Sequence, residues 1–78
     1  MSVTVRLHAA LREAAGQDAL RVDAATIADV RTAVGTACPP LTARLAHCRF
    51  ALDDEFVDEA TPVRDGATVD VIPPVSGG

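Results

Sequence analysis

Three observations predict an α+β fold for this 78-residue chain: a mixed sheet of four to five strands, one main crossing helix and short extra helices. Strict apolar–polar alternation marks residues 3–8, the first regular segment, and residues 67–72, the last, place Val69 and Val71 on one face. One sustained helical period follows Thr26. Short apolar runs lie between them, bounded by Gly, Pro and Asp. The length fits one domain, and 49% hydrophobic residues are enough for a core.

Val3, Val5 and Leu7 share one face of the first strand, with Thr4, Arg6 and His8 on the other. Residues 9–15 follow with helix formers, Leu11 and Ala15 inward and Arg12 and Glu13 outward, and Gly16 reads as the C-cap. Residues 19–22 form a short second strand, expected to pair antiparallel with the first. Thr26 and Asp29 read as a reciprocal cap, opening a helix with the stripe Ile27, Val30, Val34 and Ala37. Pro39-Pro40 stops it. Leu41 and Leu45 predict a further helical turn through Ala46.

Residues 49–52 are the third strand, Asp53-Asp54 a turn and residues 55–57 a brief fourth strand. Thr61-Pro62 and Asp65-Gly66 mark turns before the last strand, where Val69 and Val71 share a face. With no Trp or Tyr and 3% aromatics, Phe50 and Phe56 are expected to be the large pieces of the core. The order β-α-β-α-(α)-β-β-β is a β-grasp arrangement, with the first and last strands expected to pair in parallel at the sheet centre. Residues 1–72 would form the β-grasp domain and 73–78 an extended, flexible C-terminal tail.

The net charge of −4 speaks against nucleic acid, which demands clustered cations, and suits a basic partner surface. All seven basic residues are arginine. No apolar run approaches membrane length and no signal peptide opens the chain, so no membrane partner and a cytoplasmic location are expected. Cys38 and Cys48 are read as reduced, buried small hydrophobes. With His8 and His47 they lack metal-site spacing, so no metal is assigned. His8 and His47 are read as surface or strand-edge residues, and Asp53, Asp54 and Glu55 as a solvated acidic turn.

The sequence ends Ile72-Pro73-Pro74-Val75-Ser76-Gly77-Gly78. Pro73-Pro74 fixes two φ angles and keeps the chain extended. Ser76, Gly77 and Gly78 then lose bulk stepwise, so the end suits a narrow channel. The α-carboxylate of Gly78 would need activation, for which adenylation with ATP suffices. The chain has no phosphate-binding glycine motif, so it would be the substrate of an activating enzyme rather than its own catalyst.

These residues resemble a known family: the MoaD-like small subunits of molybdopterin synthase, within the ThiS-type ubiquitin-like sulfur carriers. The likeness covers almost the whole chain. It rests on Val5-Arg6-Leu7, Leu11-Arg12-Glu13 and Gly16, on Asp54-Glu55-Phe56-Val57, on Pro62 with Asp65-Gly66, and above all on the run from Ile72 to Gly78. Where the family often has an aromatic before Pro-Pro, this chain has Val71-Ile72.

The resemblance implies a mechanism. An E1-like adenylating enzyme would use ATP on Gly78, and a sulfurtransferase would supply the sulfur for a C-terminal thiocarboxylate. Ile72, Pro73, Pro74, Val75, Ser76 and Gly77 would enter the large synthase subunit, where the active site is expected, and the assembly would be a heterotetramer. The chain itself would hold no cofactor. Arg12 is a candidate docking charge; a solvated helix-face arginine is the other reading. Sulfur delivery for cysteine or thiazole synthesis, a ubiquitin-like protein modifier and an interaction module with an inert tail are the alternatives.

Overall fold

The computed structural model describes residues 1–74. In chain order the elements are β1 (Ser2–Leu7), α1 (Ala10–Ala15), β2 (Ala19–Asp23), α2 (Ile27–Ala37), a 3₁₀ turn (Pro39–Leu41), α3 (Thr42–Leu45), β3 (Arg49–Leu52), β4 (Glu55–Val57) and β5 (Thr68–Ile72). The five strands form one sheet in the order β2-β1-β5-β3-β4. The pairing of β1 with β2 is antiparallel, as the sequence implies. That of β1 with β5 is parallel and central, matching Val5 with Val69 and Leu7 with Val71. This is the β-grasp arrangement.

Alternation decides which side of the sheet is covered. Val3, Val5, Leu7, Phe50, Val69 and Val71 are buried together with Leu11, Ile27, Val30, Val34, Leu41 and Leu45 from the helical segments. The opposite face carries Thr4, Arg6, Thr68 and Asp70, all exposed or half-exposed. No helix among the described residues is long and apolar enough to cross a membrane.

Helix α2 begins where the sequence places it. Asp29 N–H donates to Thr26 Oγ1 (3.3 Å), and Asp29 Oδ2 accepts from the amides of Thr26 (3.2 Å) and Ala25 (3.1 Å). The amides of Ile27 and Ala28 donate to the carbonyls of Thr61 and Glu59, each at 3.0 Å. The first turn's orphan donors are thus satisfied by the 58–61 loop, which ties that loop to the helix. Gly16 ends α1 at φ 73°, its amide donating to Arg12 O at 2.9 Å.

Two core assignments need correction. Phe56 is 54% exposed, because in the β4 register Val57 lies opposite Phe50 and takes the inward position. Ala37 is exposed, whereas Cys38 is buried. The backbone leaves the helix at Cys38 (φ −130°, ψ 76°), which turns this side chain inward instead.

Both cysteines are buried free thiols, as expected of small hydrophobes. Burial pushes the Cys48 thiol above its ordinary value, against the opposing pull of Arg31 and Arg44. Arg31 packs over the Phe50 ring at 5.3 Å and pairs with Glu59, Nε to Oε1 at 3.0 Å. Its N–H is not aligned on that oxygen, so the contact is an ion pair rather than a directed hydrogen bond.

Residues Asp53 and Asp54 form the two-residue link between β3 and β4 with φ of 52° and 67°. A two-residue hairpin with both φ positive favours Asn-Gly or Asp-Gly, since a Cβ in this region costs about 1–2 kcal/mol. Asp54→Gly is therefore expected to raise the unfolding free energy by about 1 kcal/mol, or roughly 4–8 °C in melting temperature. Thr26→Ala is expected to lower it by about 1 kcal/mol through loss of the cap. Thermal melts of both variants check these signs.

A raised thiol value in the folded state has a defined pH consequence. The stabilisation of the buried neutral thiol is complete below the unfolded value of 9.0 and is lost as pH rises through the folded value. The stability difference between the native chain and Cys48→Ala is expected to narrow above pH 9.0. Urea denaturation of both proteins from neutral to alkaline pH measures it.

Candidate functional site

The candidate site is the root of the C-terminal segment. β5 is held on both sides, by β1 in parallel and by β3 antiparallel, and its last residue Ile72 lies opposite Arg49. Ile72 and Pro73 are half-buried and Pro74 is exposed. Val75, Ser76, Gly77 and Gly78 lie outside the described residues, so the expectations for them stand on the sequence.

Beside the root is a small cleft of about 170 Å³ lined by Leu11, Arg44, His47, Cys48, Pro73 and Pro74. Leu11 comes from α1, Arg44 from α3, and His47 and Cys48 from the turn into β3. The Cys48 thiol donates to Arg44 O at 3.2 Å, holding that turn closed. Arg12, the docking charge suggested by sequence, is not among the lining residues. Its side chain is 56% exposed and lies 3.8 Å from the exposed Asp18 carboxylate, a pair of the kind that contributes little.

The open sheet face adjoins the same root. Register places Phe56, Ala51, Asp70, Arg6 and Ala19 in one row across it. Asp70 Oδ1 lies 2.8 Å from His8 Nε2 and 3.4 Å from Arg6 Nε, with the Asp70 side chain only 20% exposed. Arg49 stacks its guanidinium 3.8 Å from the centre of the Phe56 ring, a cation–π contact that leaves one of the two large apolar side chains partly open to solvent. A groove of about 340 Å³ runs between these groups, lined by Arg6, His8, Ala51, Asp54, Phe56, Asp70 and Ile72.

Sequence reasoning left His8 as a surface or strand-edge residue and did not join it to Asp70. The signal was present: Arg6 and His8 alternate with the core residues of β1, as Asp70 does in β5. A parallel pairing of the two strands puts all three on the open face. Among the described residues no group of three or more His, Cys, Asp or Glu is arranged to hold a metal ion. What the described residues present at the root is a half-apolar sheet face with buttressed charges and an exit from the central strand through Pro73-Pro74.

Residues 5–78 match the ThiS family. The molybdopterin synthase sulfur carrier subunit of Chlamydomonas reinhardtii is 34% identical over 83 residues, spanning the whole of both chains. The crystal structure of SAMP1 from Haloferax volcanii superposes with a TM-score of 0.90 at 30% identity, covering all of both chains. Subunit 1 or 2 in the protein–protein complex of molybdopterin-converting factor from Helicobacter pylori gives 0.73 at 28% identity, again over the full length of each chain. With this coverage, and with the ubiquitin-like β-grasp sheet and its central terminal strand in place, the chain belongs to the ThiS family.

Proposed function

We propose that the chain is a sulfur carrier for molybdopterin synthesis, the small sulfur-donating subunit of molybdopterin synthase. The observation that carries this reading is positional. The strand that leads to the terminal glycines is the central one of the sheet, and it leaves through Pro73-Pro74 beside an uncovered face. A rigid domain then holds a short, narrow segment at a fixed exit. The family match and the full-length identity to a sulfur carrier subunit support it.

The Gly78 carboxylate attacks the α-phosphate of ATP in an E1-like adenylating enzyme and releases pyrophosphate. The terminal sulfur of a sulfurtransferase persulfide displaces AMP, and a thiol then cleaves the resulting acyl disulfide, itself being oxidised to a disulfide, to leave a thiocarboxylate. The segment from Ile72 to Gly78 then enters the large subunit, which contains the active site and holds the pterin precursor. Two carriers are spent for each dithiolene, in a cytoplasmic heterotetramer. Ser76 and Gly77 let the backbone pass a narrow channel, and Gly78 leaves the reacting carbon unshielded.

A second reading is a ubiquitin-like protein modifier, favoured by the 0.90 TM-score to a small archaeal modifier protein. The same adenylate would then pass to an amine. This chain has no lysine side chain to receive such a link, yet Gly78 can donate one.

The test is reconstitution with a molybdopterin synthase large subunit and cyclic pyranopterin monophosphate. The thiocarboxylated carrier is expected to yield molybdopterin at two carriers per product, and deletion of Gly78 to abolish it without altering the thermal melt. Activity from the chain lacking Gly78 would sink the proposal. Covalent conjugates in a lysate blot would favour the modifier, and capture of a cysteine- or thiazole-forming synthase would reassign the acceptor.

A further inference from the structure

The root of the C-terminal segment is electrically unlike the rest of this acidic chain. Arg44 and Arg49 both flank it: Arg44 lines the cleft with Pro73 and Pro74, and Arg49 is the cross-strand partner of Ile72. Both are exposed, and neither has a carboxylate within 4 Å among the described residues. Most acids nearby are engaged, the exceptions among the described residues being Glu13 of α1 and Asp54, which lines the same groove as Ile72. Glu59 pairs with Arg31, and Asp70 with Arg6 and His8. Asp58 accepts from the Ala60 amide at 3.0 Å and the Thr61 hydroxyl at 3.2 Å.

The opposite end of the sheet has the opposite character. Asp53, Asp54 and Glu55 sit at the far end of β3 from Arg49, exposed and without a basic partner within 4 Å among the described residues. Arg21 and Arg64 also lack a carboxylate within 4 Å among the described residues, but both lie toward this Ser2 end with the three acids, so the unmatched charge is net negative there and the root carries Arg44 and Arg49.

Reach makes this arrangement consequential. Four residues follow Pro74, and four residues span at most about 14 Å when fully extended. An enzyme that acts on the Gly78 carboxylate must bring its own surface within that distance of Pro74. Arg44 and Arg49 are then pressed close to the mouth of its channel, whatever the channel's interior.

We propose that Arg44 and Arg49 form a cationic collar that docks on an acidic rim around the tail channel of the activating enzyme. The inference rests on the reading of Gly78 as the terminus that is adenylated. The collar steers encounter and orients the tail toward the opening, while the acidic far end is repelled by the same rim. Charges placed this way govern association and its salt dependence more than the chemical step.

The test compares two charge reversals of equal size at opposite ends of the molecule. Arg44→Glu alters the collar. Arg64→Glu makes the same change in the loop whose carbonyl accepts from Ala67, at the Ser2 end of the sheet. Adenylation by the E1-like enzyme is followed as pyrophosphate release at varied carrier concentration, with melts confirming that both variants fold. Arg44→Glu is expected to raise KM about tenfold or more at low salt, to lose most of that gap in high salt, and to leave kcat within about twofold. Arg64→Glu is expected to leave KM unchanged or lower it. Equal effects of the two reversals, or a fall in kcat with KM unchanged, would overturn the collar while leaving the activation of Gly78 intact. A native chain that is never adenylated would overturn that activation, and the collar with it.

Discussion

The double anchoring of β5 is the constraint on which the rest depends. Its backbone is hydrogen-bonded to β1 on one side and to β3 on the other, and its inward residues Val69 and Val71 are fully buried. A parallel β1–β5 pair cannot be joined by a tight turn. The whole intervening chain, including α2, is therefore spent connecting the two central strands. That topology puts the helices on one face, leaves the other face open, and fixes where the last six residues leave the sheet.

Burial follows from the same pairing. Once β1 and β5 are in register, Val3, Val5 and Leu7 share a face with Val69 and Val71, and Ile27, Val30 and Val34 of α2 close over them. Small aliphatic side chains fill the layer, with Phe50 as the single buried aromatic ring. The 58–66 loop is fixed by bonds to the start of α2 and to Ser2. The terminal strand is thereby held by backbone pairing and packing, with Cys38 and Cys48 as free thiols.

Much of this was legible in the sequence, because the periodicities are undiluted. The Thr26–Asp29 cap, the Gly16 stop and the alternation in residues 3–8 and 67–71 each carry a local physical cause that tertiary context did not override. What was not legible depended on register. Phe56 was assigned inward from size alone, but a strand of three residues has too little alternation to fix its phase, and Val57 won the position opposite Phe50. Ala37 lost its place to Cys38 where the helix ends. The His8–Asp70–Arg6 group needed partners 62 and 64 positions apart, the first measured as a 2.8 Å contact. The cationic surroundings of the root were hidden by a net charge that is negative overall. The segment 75–78, where the sequence is most specific, lies outside the described residues.

The account divides labour within the chain. Under the proposed function the sheet supplies a rigid exit, the open face and the root would supply surfaces for partners, and the reaction would belong to one carboxylate at Gly78. Intact mass spectrometry of the full chain after incubation with an E1-like adenylating enzyme, MgATP and a sulfur donor tests this most directly. The account predicts a mass increase equal to the exchange of one oxygen for sulfur, located by fragmentation at Gly78. An unchanged mass with an enzyme shown to be active on another carrier would contradict it.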